Sequence, residues 1–370
     1  MMKNLHFRNL LLLMAVVSLL FSSCSDEQEE TFIHPLQALE NQPAAWKWFD
    51  IDGMQCRDGS ETGIVVRMND PKKLVIYING GGACFNVPTC ASNPKSFNEQ
   101  DAENLAGLGD PGIFSAVRTE NPVKDWSFVF IPYCTGDVHS GRTENGKPLG
   151  VNERQKFVGN INFNLVMEFI APYFLEQEVD EILFFGLSAG GYGVYINALD
   201  LIKYFPSIKT TVINDSGPIF KDADAFPLCL QLGFNFIFDI PIPADFLYCC
   251  LPDFGLGNVY QYAATKYPDY NYGFVSSLED GTIRYFLGFG QETCTGQTQL
   301  PAATFRNAMI NLRDDNLRNG NKWSTFYIDG NSHTLLASNE LYYNRPVEGM
   351  YLYEWVDAVL KGQVNHVSEE

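Results

Sequence analysis

The sequence predicts an α/β fold, a doubly wound sandwich on a mainly parallel central sheet. Three observations lead there. Short runs at residues 74–78, 128–133, 182–185, 211–214 and 325–328 read as continuously apolar, the pattern of strands covered on both faces. Helix-compatible stretches lie among them, at 153–174 and from Gly191 to about 203, with another at 350–360. One apolar run, Glu181-Ile182-Leu183-Phe184-Phe185, passes into helix through Gly186-Leu187-Ser188-Ala189-Gly190-Gly191. With 46% hydrophobic residues in 370, the chain has ample material for one large core.

Taken in chain order, residues 1–23 read as a lipoprotein signal peptide. Lys3 and Arg8 supply positive charge, and 10–21 form an apolar core too short to span a bilayer comfortably. Phe21-Ser22-Ser23-Cys24 resembles a bacterial lipobox, which makes Cys24 the lipidation site. Residues 24–40, with Asp26, Glu27, Glu29 and Glu30, read as an acidic tether ahead of a domain at 41–370. The expectation is an exported lipoprotein, anchored in the membrane at Cys24 and displayed from the outer membrane, with plain secretion and a periplasmic placement as the alternatives. Nine cysteines less Cys24 leave eight, an even number that suits disulfides in an exported chain. Cys84 and Cys134 fall just past two strands and are candidates to staple loops there. No Cys-x-x-Cys pair occurs, so a zinc site has little support.

Residues 73–79 form a buried-strand pattern, and Gly80-Gly81-Gly82-Ala83 follows at once. Glycines in such a loop let backbone N–H groups approach a substrate oxygen. No Gly-Lys-Ser/Thr follows, which weakens a phosphate-binding reading. Strand, Gly-x-Ser-x-Gly, helix is the nucleophile elbow of α/β-hydrolases, and it nominates Ser188. A serine hydroxyl needs a base, most often histidine. Of five histidines, His6, His34 and His366 lie in terminal segments, leaving His139 and His333. The chain order serine, acid, histidine favours His333, in a Gly/Asn/Ser loop after a strand. The acid lies between them. Asp280 is the first choice, Asp215 is its rival or a brace for the site, and Glu279 stays open. Between Asp215 and Asp280, residues 219–271 are rich in Phe, Tyr, Pro and Cys and occupy the usual place of a cap insertion.

Five segments occur in order: Asn79-Gly80-Gly81-Gly82-Ala83-Cys84-Phe85, Ile131-Pro132-Tyr133-Cys134-Thr135-Gly136-Asp137-Val138-His139-Ser140-Gly141, Gly186-Leu187-Ser188-Ala189-Gly190-Gly191, Asn214-Asp215-Ser216-Gly217 and Ser332-His333. Together they resemble the pectin acetylesterase family. The resemblance implies a catalytic triad of Ser188, Asp280 and His333. It also implies an oxyanion hole of the Gly81, Gly82 and Ala189 N–H groups, with no metal or organic cofactor. It leaves His139 a structural or cleft-lining role. Ala83 stands where many members carry an aromatic residue, which bears on the shape of the acyl pocket.

The expected activity is that of a serine carboxylesterase removing O-acetyl groups from a polysaccharide, with pectin first and xylan or a longer-acyl ester as alternatives. A protein that keeps this fold only to bind glycan is the competing class. A formal net charge of −19 argues against nucleic acid as a partner and would repel polygalacturonate from most of the surface. Arg118, Lys124, Arg142, Lys147, Arg154 and Lys156 cluster in sequence, but Glu120, Asp125, Asp137, Glu144 and Glu153 nearly cancel them.

Overall fold

Runs without polar alternation need cover on both faces, and the sheet provides it. In chain order the strands are β1 (Trp46–Gln55), β2 (Glu61–Arg67), β3 (Asp70–Ile78), β4 (Trp126–Ile131), β5 (Thr143–Gly146), β6 (Gln155–Phe157), β7 (Glu181–Leu187), β8 (Lys209–Asp215), β9 (Asn271–Ser277), β10 (Trp323–Ile328) and β11 (His366–Ser368). All but β5 and β6 join one sheet in the order β1-β2-β4-β3-β7-β8-β9-β10-β11. From β4 to β11 every pairing is parallel, while β1–β2 and β2–β4 are antiparallel. The computed structural model describes residues 33–40, 45–106, 109–246, 256–291, 298–317 and 322–370. The chain divides into two units, Met1–Gln37 and Ala38–Glu370, and the architecture here belongs to the second. The signal peptide, Cys24 and most of the acidic tether lie outside the described residues.

The helices are α1 (Val87–Ser92), α2 (Glu99–Ala106), α3 (Gly159–Glu176), α4 (Ala189–Tyr204), α5 (Leu228–Phe238), α6 (Val259–Lys266), α7 (Gly281–Gly288), α8 (Ala302–Asn311) and α9 (Leu352–Leu360). Successive side chains of a strand point to opposite faces. On β7, Leu183 and Phe185 join a core containing Tyr77, Ile213, Trp355 and Val356, the last two from α9. Phe184 packs the other way, its ring 5.4 Å from Phe163 of α3. Each apolar run is thus consumed on both sides.

Two expectations shift. The strand expected at 128–133 runs from Trp126 to Ile131, since Pro132 has no N–H to extend the ladder. The helix expected from 153 begins at Gly159, because Gln155–Phe157 pairs with Thr143–Gly146 in a separate ribbon.

Cys134 and Cys84 do staple loops, but not to each other. Cys134 bonds Cys56 across 78 residues, and Cys84 bonds Cys90 across 6. Cys229 is also disulfide-bonded, while Cys249, Cys250 and Cys294 lie outside the described residues. Closing a longer loop removes more entropy from the unfolded chain, by the loop-entropy relation. Replacing Cys56 and Cys134 by serine should therefore cost about 4 kcal/mol, against about 2 kcal/mol for Cys84 and Cys90. Denaturant unfolding of both pairs of variants checks this; equal losses would contradict it.

Candidate active site

Ser188 follows β7 directly, with φ 56° and ψ −116°, a conformation that side-chain-bearing residues rarely adopt. The turn is held on both sides: Ser188 N–H donates to the Asp215 carbonyl at 2.8 Å, and its own carbonyl accepts from Tyr192 N–H at 3.1 Å. A Cβ on Gly190 would stand 2.1 Å from the Ile78 carbonyl oxygen, so only glycine lets α4 start against the end of β3. The elbow expected at this position is present.

Asp280 and His333 meet. His333 Nδ1 lies 2.7 Å from Asp280 Oδ2, and the carboxylate, having only lone pairs to offer, fixes the proton on Nδ1. Nε2 is left as the free base. Asp280 is fully buried and caps α7, its Oδ1 accepting from the N–H groups of Thr282 and Ile283 at 2.9 and 3.0 Å. A helix N-terminus favours an anion there. Asp215 takes a different place. Its Oδ2 accepts the Leu335 and Leu336 N–H groups, each at 2.7 Å, and its Oδ1 accepts from Ser216 Oγ. It grips the chain just beyond His333 rather than the ring. Glu279 points away and pairs with Arg306.

Ser188 and His333 line one cavity of about 400 Å3, together with Gly80, Gly81, Gly82, Thr282 and Phe286. Among the described residues the N–H groups of Gly81, Gly82 and Ala189 donate to no protein acceptor. A second, smaller recess of about 30 Å3 adjoins Ser188. It is walled by Ala83, Val138, Tyr192, Leu230, Phe234, Ile283, Phe286 and Leu287. Among the described residues lining either space, none apart from His333 is ionisable other than as a tyrosine.

His139 is not a second base. It is 2% exposed, and Nε2–H donates to the Asn79 carbonyl at 2.8 Å. Burial presses its pKa down to about 4. The basic residues that cluster in sequence line neither space. Arg118 pairs with Glu120, Lys124 with Asp125 and Lys156 with Glu144. Sequence reasoning missed Asn93 and Tyr133, which bond the Gly81 and Gly82 carbonyls. Among the described residues no cluster of His, Cys, Asp and Glu is arranged to hold a metal ion.

The chain matches the pectinacetylesterase family model over residues 28–233. It is similar to the palmitoleoyl-protein carboxylesterase NOTUM of Schmidtea mediterranea, at 34% identity over 158 residues, 40% of this chain and 28% of that protein. The mouse NOTUM is 30% identical over 174 residues, 44% of this chain and 33% of that protein. The matched segments thus span about a third or less of these relatives. A crystal structure of the Wnt deacylase Notum from Drosophila superposes with a TM-score of 0.64 at 19% identity, covering 85% of this chain and 93% of that one. That likeness is one of fold.

Two buried groups titrate in opposite senses. Burial raises the Asp215 carboxyl to about 6, so the folded state holds its proton where the unfolded chain has lost it. Stability from this group is fully present near pH 4 and declines as pH rises through 6. His139, lowered to about 4, is neutral when folded and charged when unfolded at intermediate pH, so its contribution falls as pH drops from about 6.5 to 4. Over this window the two offset one another. Asp215→Asn removes one of them. Its unfolding free energy should rise between pH 4.5 and 6.5 by about 2 kcal/mol more than the wild type's. Urea melts at both pH values test this; parallel pH dependences would contradict it.

Proposed function

The chain belongs to the pectin acetylesterase family of carboxylic ester hydrolases, and from that premise we propose that it removes O-acetyl groups from a polysaccharide through Ser188, His333 and Asp280. One observation carries the proposal. A histidine locked in the Nδ1–H form by a buried carboxylate shares a cavity with an elbow serine and undonated backbone N–H groups. Ser188 Oγ attacks the acetyl carbonyl carbon while His333 Nε2 takes the hydroxyl proton. The carbonyl oxygen becomes an oxyanion facing the N–H groups of Gly81, Gly82 and Ala189. The bond from carbon to sugar oxygen then breaks, and His333 returns its proton to that oxygen. Water, deprotonated by His333, then adds to the acetyl-serine, the bond from carbon to Oγ breaks as His333 returns the proton to Oγ, and acetate leaves. Asp280 keeps the imidazole in the working tautomer throughout.

The small recess supports a short acyl group. At about 30 Å3 and walled by apolar side chains, it is the smaller of the two spaces beside Ser188. The uncharged side chains other than His333 among the described lining residues support a neutral sugar at the scissile position, as in acetylated xylan, over polygalacturonate. Any wider preference for pectin would have to come from outside these two spaces. The disulfides agree with an oxidising compartment and an exported chain. No helix among the described residues is long and apolar enough to cross a membrane. Anchoring through a lipid on Cys24 would hold the domain at its membrane.

Acetate release from acetylated xylan and acetylated pectin, with Ser188→Ala as control, tests the reading. Serine-dependent release is expected from xylan in excess of pectin. Asp280→Asn should lower kcat by roughly 10^3- to 10^4-fold through loss of the tautomer. Asp215→Asn, which keeps an acceptor oxygen, should stay within about tenfold of wild type, by the smaller cost of a retained hydrogen bond. Equal losses in the two would return Asp215 to the triad. Across a series of nitrophenyl esters, kcat/KM should fall steeply from acetyl to octanoyl; a rise with chain length would exclude the acetyl reading.

A further inference from the structure

The Pro-Tyr-Cys-Thr-Gly-Asp-Val-His segment supplies no nucleophile, base or acid, yet it touches the Gly-Gly-Gly loop repeatedly. Three carbonyls in or next to that loop are held by side chains from outside it. The Asn79 carbonyl accepts from His139 Nε2 at 2.8 Å. The Gly81 carbonyl accepts from Asn93 Nδ2 at 2.7 Å, and the Gly82 carbonyl from Tyr133 Oη at 2.7 Å. All three side chains are more than nine-tenths buried.

A trans peptide points its N–H opposite to its carbonyl. Fixing the Gly81 carbonyl on Asn93 therefore fixes the direction of the Gly82 N–H. Fixing the Asn79 and Gly81 carbonyls leaves the intervening Gly80–Gly81 peptide, which carries the Gly81 N–H, clamped between two held neighbours. Glycine peptides turn easily, so without these bonds the donors would sample several directions. The clamp is itself braced. Tyr133 Oη accepts from Val138 N–H at 2.8 Å, its ring lies 4.7 Å from that of His139, and Arg57 holds the Asn93 carbonyl at 2.8 Å. The Cys56–Cys134 and Cys84–Cys90 bonds tie both loops down.

We infer that Asn93, Tyr133 and His139 are positioning residues for the oxyanion hole, aiming the Gly81 and Gly82 N–H groups: Asn93 through the peptide it bonds, His139 and Tyr133 by holding the peptides on either side. The inference rests on the esterase reading above. None of the three touches substrate.

The experiment compares wild type with Tyr133→Phe and with Asn93→Asp, which keeps the shape and loses the donor. It uses the whole chain, a nitrophenyl acetate and trifluoroacetone, a ketone whose adduct with Ser188 places an oxyanion in the hole. Expected is a fall in kcat of about 10- to 100-fold with KM changed less than about threefold, short of losing a donor outright. The Ki for trifluoroacetone should rise by the same factor, with the pH profile of kcat/KM unmoved. His139→Gln, which retains a side-chain N–H donor, should recover most of the activity lost in His139→Leu. Variants with lowered Tm but wild-type kcat and Ki would show a merely structural role and overturn the inference. If one variant does not fold, the other decides. A wild type inert toward the acetate, or a fully active Ser188→Ala, would overturn the esterase reading and this inference with it.

Discussion

At the top of the sheet, backbone approaches backbone more closely than any side chain permits. A Cβ on Gly190 would meet the Ile78 carbonyl, and one on Gly186 would stand 2.2 Å from the Gly190 carbonyl. On Gly80 a Cβ would come within 2.8 Å of the Leu187 carbonyl and 3.0 Å of Ser188 Cβ. The first turn of α4 is therefore seated on the ends of β3 and β7, and the Gly-rich loop passes directly against the serine's own turn. Ser188 and the loop's N–H groups share one small volume because these strands are hydrogen-bonded neighbours in the sheet. The positive φ of Ser188 costs about 1–3 kcal/mol, a strain the surrounding packing over-determines.

The same logic places two carboxylates side by side with different work. Asp215 ends β8 and Asp280 follows β9 by three residues, and the two strands pair in parallel. Both side chains are completely buried. Asp280 divides its oxygens, one to the start of α7 and one to His333, so the helix that walls the cavity and the imidazole are fixed by one group. Asp215 grips the chain two and three residues past His333. One carboxylate orients the ring and the other fixes the backbone that carries it. Neither could do the other's work from its place in the sheet.

Much of this was legible in the sequence. Central strands announce themselves by unbroken apolar runs, and Ser188 and His333 follow from a motif, a chain order and a scarcity of histidines. Edge strands do not. β1 carries Asp50, Asp52 and Gly53, with an exposed or half-exposed pattern over most of its length, and β11 is a three-residue strand in a polar tail. The choice between Asp215 and Asp280 was open because both follow strands in Asp-Ser-Gly and Asp-Gly contexts. Only the fold shows which faces the ring. Asn93 and Tyr133 were illegible for another reason: a side chain that bonds a distant carbonyl leaves no periodicity and no local spacing.

The end of the family match divides the candidate site: Ser188 falls inside it, Asp280 and His333 beyond it, and the recess walls on both sides. The family match ends at residue 233 and includes the Gly-rich loop, the segment holding it and Ser188. Of the recess walls, Phe234, Ile283, Phe286 and Leu287 all lie beyond it, on α5 and α7. Phe286 in particular packs over the loop, its ring 2.7 Å from where a Gly82 Cβ would stand. Phe286 narrows the space next to Ser188, while Asn93 and Tyr133 hold the carbonyls of the loop it covers. Two sets of side chains thus meet at the loop, one bounding the recess and the other holding the backbone.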